Sequence, residues 1–229
     1  MRVVLFDIDG TLLLSGGAGQ RAMERALEQE FQVTRPTEDI PAAGRTDWAI
    51  VADLFRFHGI ENSSAHWQRF VAAYLRQLPA ALAELDGCVL PGVVALLEQL
   101  HPREDVRLGL LTGNLREGAW LKLKHYDIDH YFSFGAFGDA HHSRDDVAQL
   151  AFAECHKLAG SPMDADRVWV IGDTPADVAC ARAIGANVVA VATGIFSYDE
   201  LERTRPDCLL HDLSDPAPLL SLLNGSSPA

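Results

Sequence analysis

Lysine is almost absent from this chain: sixteen of its nineteen basic residues are arginine, and the three lysines are Lys122, Lys124 and Lys157. Residues 15–85 hold no lysine at all, which excludes Schiff-base chemistry from that segment. Paired cysteines are also absent. Cys88, Cys155, Cys180 and Cys208 are far apart and form no Cys-x-x-Cys. They read as small core residues of a reduced, cytoplasmic protein, not as a disulfide framework. No apolar run approaches membrane-spanning length, and the first meets Asp7 too early for a signal peptide. Positive charge in excess is lacking as well. A net charge of −13 and a pI near 5.0 argue against a nucleic acid or an anionic membrane as partner. Any anion site must therefore be built from local cations. There are no internal repeats and no low-complexity tracts.

The chain does have apolar material in quantity. Hydrophobic residues make up 48% of 229, enough for one large domain or a domain carrying a smaller inserted one. Its sharpest feature is the N-terminal stretch Val3-Val4-Leu5-Phe6-Asp7-Ile8-Asp9-Gly10-Thr11. Four apolar residues in a row predict a buried strand, and Gly10 permits a sharp turn after it. Positions two apart on a strand share a side, so Asp7 and Asp9 are expected together at the strand's C-terminal edge. That edge is where open α/β sheets bind ligands. Adjacent carboxylates repel unless a cation, a proton or a substrate lies between them.

Further on, hydrophobic spacing predicts helices over 18–31, from Asp47 as N-cap to Gly59, and from about Ser64, with Pro79 expected to kink or break the last. Residues 32–45, with Pro36 and Pro41, read as irregular. No convincing strand falls within 15–85. Strands and helices then alternate: a helix around Val93–Leu100, a strand Val106–Leu111 ending Thr112-Gly113-Asn114, a helix over 115–125 and a short strand over 131–137. A helix over 145–158 follows, then a strand over 168–171 ending Gly172-Asp173-Thr174-Pro175. The chain closes with a helix over 176–184, a strand over 188–191, an edge strand Cys208–Leu210 and a polar tail from Asn224. This is the pattern of a parallel-sheet α/β core (1–14 and 86–229) interrupted by an all-helical insertion (15–85).

Three strand ends thus carry polar groups: Asp7 and Asp9, Thr112, and Asp173. In a parallel sheet all lie on one edge. Asp177 follows Asp173 by one helical turn. Two such acids with a backbone carbonyl and water suit Mg²⁺. The plain alternative for Asp173 and Asp177 is an acid pair favoured by a helix dipole, and for Thr112 a strand-end turn residue.

These motifs, in this order, resemble those of the haloacid dehalogenase-like (HAD) hydrolases, whose first motif is Asp-x-Asp-x-Thr, and most closely the phosphoglycolate phosphatase-like branch with a helical cap. The resemblance implies a Rossmann-like core and a phosphatase acting on a small phosphorylated metabolite through an aspartyl-phosphate. It implies Mg²⁺ held by the Asp7 and Asp173 side chains and the Asp9 carbonyl, with Asp177 supporting a metal-bound water or a neighbouring cation. Asp7 would be the nucleophile and Asp9 the general acid and base. Thr112, with the Gly113 and Asn114 amides, would hold the phosphoryl oxygens.

The family also expects a lysine between the second and third motifs, and here the chain departs from it. Arg144, just before a helix, occupies that place and can supply charge and a bidentate fork. Lys157 is its competitor, while Lys122 and Lys124 fall too soon after Thr112. In the insertion, Gly44-Arg45-Thr46-Asp47 is the candidate substrate contact; Arg45 either binds a substrate anion or pairs with Asp47. Gly16 and Gly17 suit a hinge. His141-His142 reads as a solvated pair, and the four tryptophans as packing. A sugar phosphomutase shares the Asp7 and Asp9 chemistry and stays open as an alternative. A metal-independent dehalogenase is disfavoured by Asp9, and an idle binding protein by the full set of acids. A monomer or a homodimer fits equally.

Overall fold

β1 (Arg2–Phe6) is a strand because its four apolar residues are all fully buried, which only a layer covered on both faces allows. The computed structural model describes residues 1–34 and 40–224. The irregular stretch expected over 32–45 and the polar tail fall partly outside these. After β1 come β2 (Leu13–Leu14), α1 (Ala18–Phe31), α2 (Asp47–His58), α3 (Ser64–Glu84) and β3 (Cys88–Val89). Then follow α4 (Val93–Leu100), β4 (Val106–Leu111), α5 (Arg116–His125), β5 (Gly135–Ala136), α6 (Arg144–Ala159) and β6 (Val168–Gly172). The chain ends with α7 (Pro175–Ala183), β7 (Asn187–Val191), α8 (Tyr198–Glu202), β8 (Cys208–Leu210) and α9 (Ala217–Leu223).

Six strands form one parallel sheet in the order β5-β4-β1-β6-β7-β8. The chain runs outward from β1 in one direction and then restarts beside it in the other. This is the doubly wound, Rossmann-like arrangement, and β1 sits at its topological switch point. Alternation along β1 feeds two cores. Val4 and Phe6 pack with α4, α5 and α9, while Val3 and Leu5 pack with α6, α7 and α8. Each fully buried Val, Leu or Phe there contributes roughly 1.5–3 kcal/mol relative to exposure.

Helices α1, α2 and α3 bury their apolar stripes against one another in a third cluster, around Leu27, Phe55, Phe70, Tyr74 and Leu78, which Leu115 of the sheet domain joins. The two chain segments leading into and out of this helical unit run side by side. β2 pairs antiparallel with β3, and a Cβ at Gly16 would lie 2.5 Å from the Asp86 carbonyl oxygen. Gly16 and Gly17 both adopt left-handed backbone, with φ of 61° and 88°.

Three local expectations are corrected. α3 runs through Pro79 without a break. Pro79 is exposed, so water can satisfy the carbonyl its missing N–H abandons, while Leu78, Ala81 and Leu82 hold the helix from the buried side. The N-cap of α2 is Thr46, whose hydroxyl accepts from the Ala49 N–H; Asp47 is the first helical residue. Residues 131–137 contain only the short β5, after a 3-10 turn at Asp129–Tyr131. That run is apolar because Phe132 and Phe137 fill one core and Phe134 borders the other.

Candidate active site

Asp7, Thr112 and Asp173 each stand one residue beyond the end of a neighbouring parallel strand, so all three gather at the switch-point edge. The Asp7 N–H donates to the Ile171 carbonyl at 2.9 Å, which fixes where the chain leaves the sheet. Carboxylate oxygens of Asp7, Asp173 and Asp177 lie within 4.8 Å of one another, and all three residues are buried. Thr11, from the same turn as Gly10, donates to Asp173 Oδ1 at 3.0 Å. Gly10 is needed there twice over: its φ is 84°, and a Cβ would fall 2.3 Å from Asp173 Oδ2.

One guanidinium faces these acids. Arg144, the first residue of α6 and only 6% exposed, contacts Asp7 at 3.3–3.4 Å and forms a closer pair with Asp177. Asp177 also accepts from the Thr174 N–H at 3.0 Å and the Thr174 hydroxyl at 2.7 Å in a capping box at the start of α7. Burial pushes the Asp7 carboxyl up to about 6, against the opposing pull of Arg144. Burial, then Asp177 and Asp7, pushes Asp173 up to about 8. Burial would favour loss of the Arg144 proton, but Asp177 and Asp7 outweigh it and hold the guanidinium charged.

Three carboxylates against one cation leave surplus negative charge in a dry place. An all-oxygen donor set of this kind fits a hard divalent cation such as Mg²⁺.

The chain turns after β1, and Asp9, although it lines the same cavity as Asp7, has its own set of partners. Asp9 accepts from Lys122 Nζ at 2.5 Å and from Asn114 Nδ2 at 2.9 Å, and Lys122 also donates to Asn114 Oδ1 at 2.6 Å. Its side chain keeps 40% exposure, toward the cavity described below. Desolvation raises its carboxyl, but the Lys122 charge, with hydrogen bonds from Lys122, Asn114 and Ser15, brings it below its ordinary range. Lys122 is 4% exposed, and the sequence pattern did not mark it. A signal was there: Gly118, Ala119, Lys122 and Leu123 fall on one face of α5, so the lysine belongs to a buried stripe. Asn114 meanwhile spends its own N–H on the Thr112 hydroxyl at 3.3 Å, within the loop rather than outward.

The helical unit is docked over this edge by the start of α2. Thr46 Oγ1 donates to the His141 carbonyl at 2.6 Å, the Asp47 N–H to the Gly113 carbonyl at 2.7 Å, and Trp48 Nε1 to His142 Nε2 at 2.7 Å. The Asp47 carboxylate accepts from the Leu115 N–H at 2.7 Å, and burial raises it to about 6. Arg45 pairs with Asp53 at 2.6 Å, not with Asp47, and donates to the Pro41 and Ala49 carbonyls. His142 is thus part of this clasp and not merely solvated. Lys157 faces solvent beside Glu154, far from the role for which it competed with Arg144.

Between the two units lies a cavity of about 600 Å³. Asp7, Asp9, Asp173, Lys122 and Arg144 line its floor, and Met23, Ile50, Leu54 and Tyr74 line its roof. Among the described residues no helix is long and apolar enough to cross a membrane.

The sequence model of the haloacid dehalogenase-like hydrolases matches residues 4–182, which span β1 through most of α7 and so every strand end named above. The chain belongs to the haloacid dehalogenase-like hydrolases. Within this family it is 30% identical over 218 residues to the phosphoglycolate phosphatase of Synechococcus elongatus, covering 94% of this chain and 95% of that one. It is 23% identical to the pyrophosphatase PpaX of Oceanobacillus iheyensis, covering 94% of each. These likenesses place the hydrolase in the phosphoglycolate phosphatase-like branch. Its fold matches CbbY from Rhodobacter sphaeroides, solved in complex with phosphate, with a TM-score of 0.71 at 19% identity over 94% of this chain and 96% of the other.

Proposed function

We propose that this hydrolase is a Mg²⁺-dependent phosphatase that cleaves a small phosphate monoester through an aspartyl-phosphate on Asp7. The observation that carries the reading is the buried cluster of Asp7, Asp173, Asp177 and Arg144 on the floor of a cavity at the switch point. The names of its relatives support the same reaction class. Asp7 and Asp173 would hold the cation, with the Asp9 carbonyl as a further ligand. The cation would supply charge that offsets repulsion between the attacking carboxylate and the phosphoryl group.

An Asp7 oxygen forms the bond to phosphorus as the ester P–O bond breaks. The leaving oxygen takes a proton from the Lys122–Asp9 pair, whose partners are 2.5 Å apart. Water then attacks phosphorus, Asp9 takes its proton, and the Asp7–phosphorus bond breaks. Arg144 orients Asp7, and its Nε–H, which has no partner among the described residues, is a donor left for a phosphoryl oxygen. Thr112 and the Gly113 amide complete the cradle, while Asp177 holds Arg144 in place.

The test is phosphate release with Mg²⁺ from a panel of phosphoglycolate, sugar phosphates and nucleotides. Asp7→Asn, nearly isosteric, should abolish release while the protein stays folded, and a chelator should abolish release reversibly. Turnover that survives the chelator would return the metal-independent dehalogenase reading. An isomerised sugar phosphate without free phosphate would mean a phosphomutase.

A further inference from the structure

The relatives' names point to small, fully charged substrates, but the cavity of this chain is shaped for something else. At about 600 Å³ it would leave most of its volume to water around a phosphorylated short hydroxy acid. Its roof is Met23, Ile50, Leu54 and Tyr74, all buried in the helical unit, and its mouth carries two exposed apolar side chains, Leu14 and Ile195. The basic side chains that line it are already answered. Arg45 is held by Asp53 and two carbonyls, Lys122 by Asp9 and Asn114, and Arg144 by Asp7 and Asp177. Among the described residues none remains to meet a second anion beyond the phosphoryl group.

One polar atom in the roof does wait for a partner. Tyr74 is 1% exposed and lines the cavity, yet its hydroxyl makes no hydrogen bond among the described residues. A buried tyrosine hydroxyl normally finds a partner. Burial, with Asp47 and Asp9 nearby, holds its ionisation well above the usual range, so it stays a neutral donor and acceptor.

The geometry points to a phosphate monoester whose leaving group is an uncharged, mainly apolar alcohol, seated under Met23, Ile50 and Leu54, with one hydroxyl or carbonyl bonded to Tyr74. This rests on the phosphatase reading of the floor. The discrimination follows from the walls: an anionic tail there would lose its hydration with no unengaged cation among the described residues to replace it.

Binding and turnover separate the two readings. Calorimetric titration compares benzylphosphonate with 3-phosphonopropionate, the hydrolysis-resistant counterparts of phenyl phosphate and phosphoglycolate, in the presence of Mg²⁺. Benzylphosphonate should bind at least about tenfold tighter, and phenyl phosphate should exceed phosphoglycolate in kcat/KM by a similar factor. Equal or tighter binding of 3-phosphonopropionate overturns the proposal. Preferred binding of benzylphosphonate with no phosphate released from any ester leaves the pocket standing and overturns the phosphatase reading instead. Met23→Lys places a cation in the roof and should shift the preference toward 3-phosphonopropionate. If that variant does not fold, the comparison on the unaltered protein still decides. Tyr74→Phe should remove about tenfold in kcat/KM from the best of the hydroxyphenyl phosphates while sparing phenyl phosphate; equal loss on both overturns the role of the hydroxyl.

Discussion

Single residues here do work that depends on where the chain returns to them. Asp177 is fully buried and meets a guanidinium, an N–H and a hydroxyl at once. Asp177→Ala leaves Arg144 with a poorer partner and uncaps α7. Chemical denaturation should show a loss of about 3–5 kcal/mol, the cost of breaking a buried pair. A loss under about 1 kcal/mol would mean that solvent already screens the pair. Lys122 is the other such residue. Lys122→Ala removes the cation that holds Asp9 ionised, and phosphate release should fall by about a hundredfold or more. Near-normal turnover would remove the Lys122–Asp9 pair from the proposed proton path. The spacing within α5 puts Lys122 on the buried face, but its partner does not follow from local sequence: only the packing of α5 against the first turn brings it to Asp9.

Among elements, α2 decides how the helical unit sits on the sheet domain. Its first turn delivers Thr46, Asp47 and Trp48 to Gly113, Leu115, His141 and His142. Asp47→Ala strands the Leu115 N–H and should cost about 1–3 kcal/mol. Asp47→Asn keeps an oxygen acceptor. Here the sign of the pH effect is set by the raised carboxyl. Burial, opposed by Lys122 and aided by Asp9 and Asp139, lifts Asp47 from 3.8 to about 6. The folded state therefore favours the protonated acid. Its penalty is absent below pH 3.8, grows through the interval and is complete above about pH 6. Denaturation at pH 5 and pH 8 should show Asp47→Asn gaining on the unaltered protein at the higher pH; a constant gap would mean that Asp47 is not desolvated. α2 itself was readable from Ile50, Val51, Leu54 and Phe55, while its cap was displaced by one residue. Thr46 takes the cap because Asp47 is drawn across to the sheet domain.

For the whole molecule, the balance of charge at the switch point is the governing quantity. Three buried acids face one guanidinium, and Asp173 carries the largest share of the strain in its raised carboxyl. If the cluster holds Mg²⁺ as proposed, the ion should raise the thermal unfolding temperature of the unaltered protein, because the three acids come together only in the folded state. Asp173→Asn should be more stable than the unaltered protein without metal and should gain little from Mg²⁺. A metal-dependent shift that survives this change would place the ion elsewhere. This readout is independent of turnover, and so it separates metal binding from catalysis.

The sequence by itself determined the α/β core, the helical insertion and the strand ends that carry Asp7, Thr112 and Asp173. Buried parallel strands announce themselves as apolar runs, and parallel order then sends their ends to one edge. It also singled out Arg144, which the fold brings against Asp7 and Asp177. Only the tertiary structure decided that Lys122 reaches Asp9, that Arg45 is spent on Asp53, and that Tyr74 joins Met23, Ile50 and Leu54 in the roof of the cavity. Those outcomes depend on contacts between segments far apart in the chain, for which local period and spacing carry no signal.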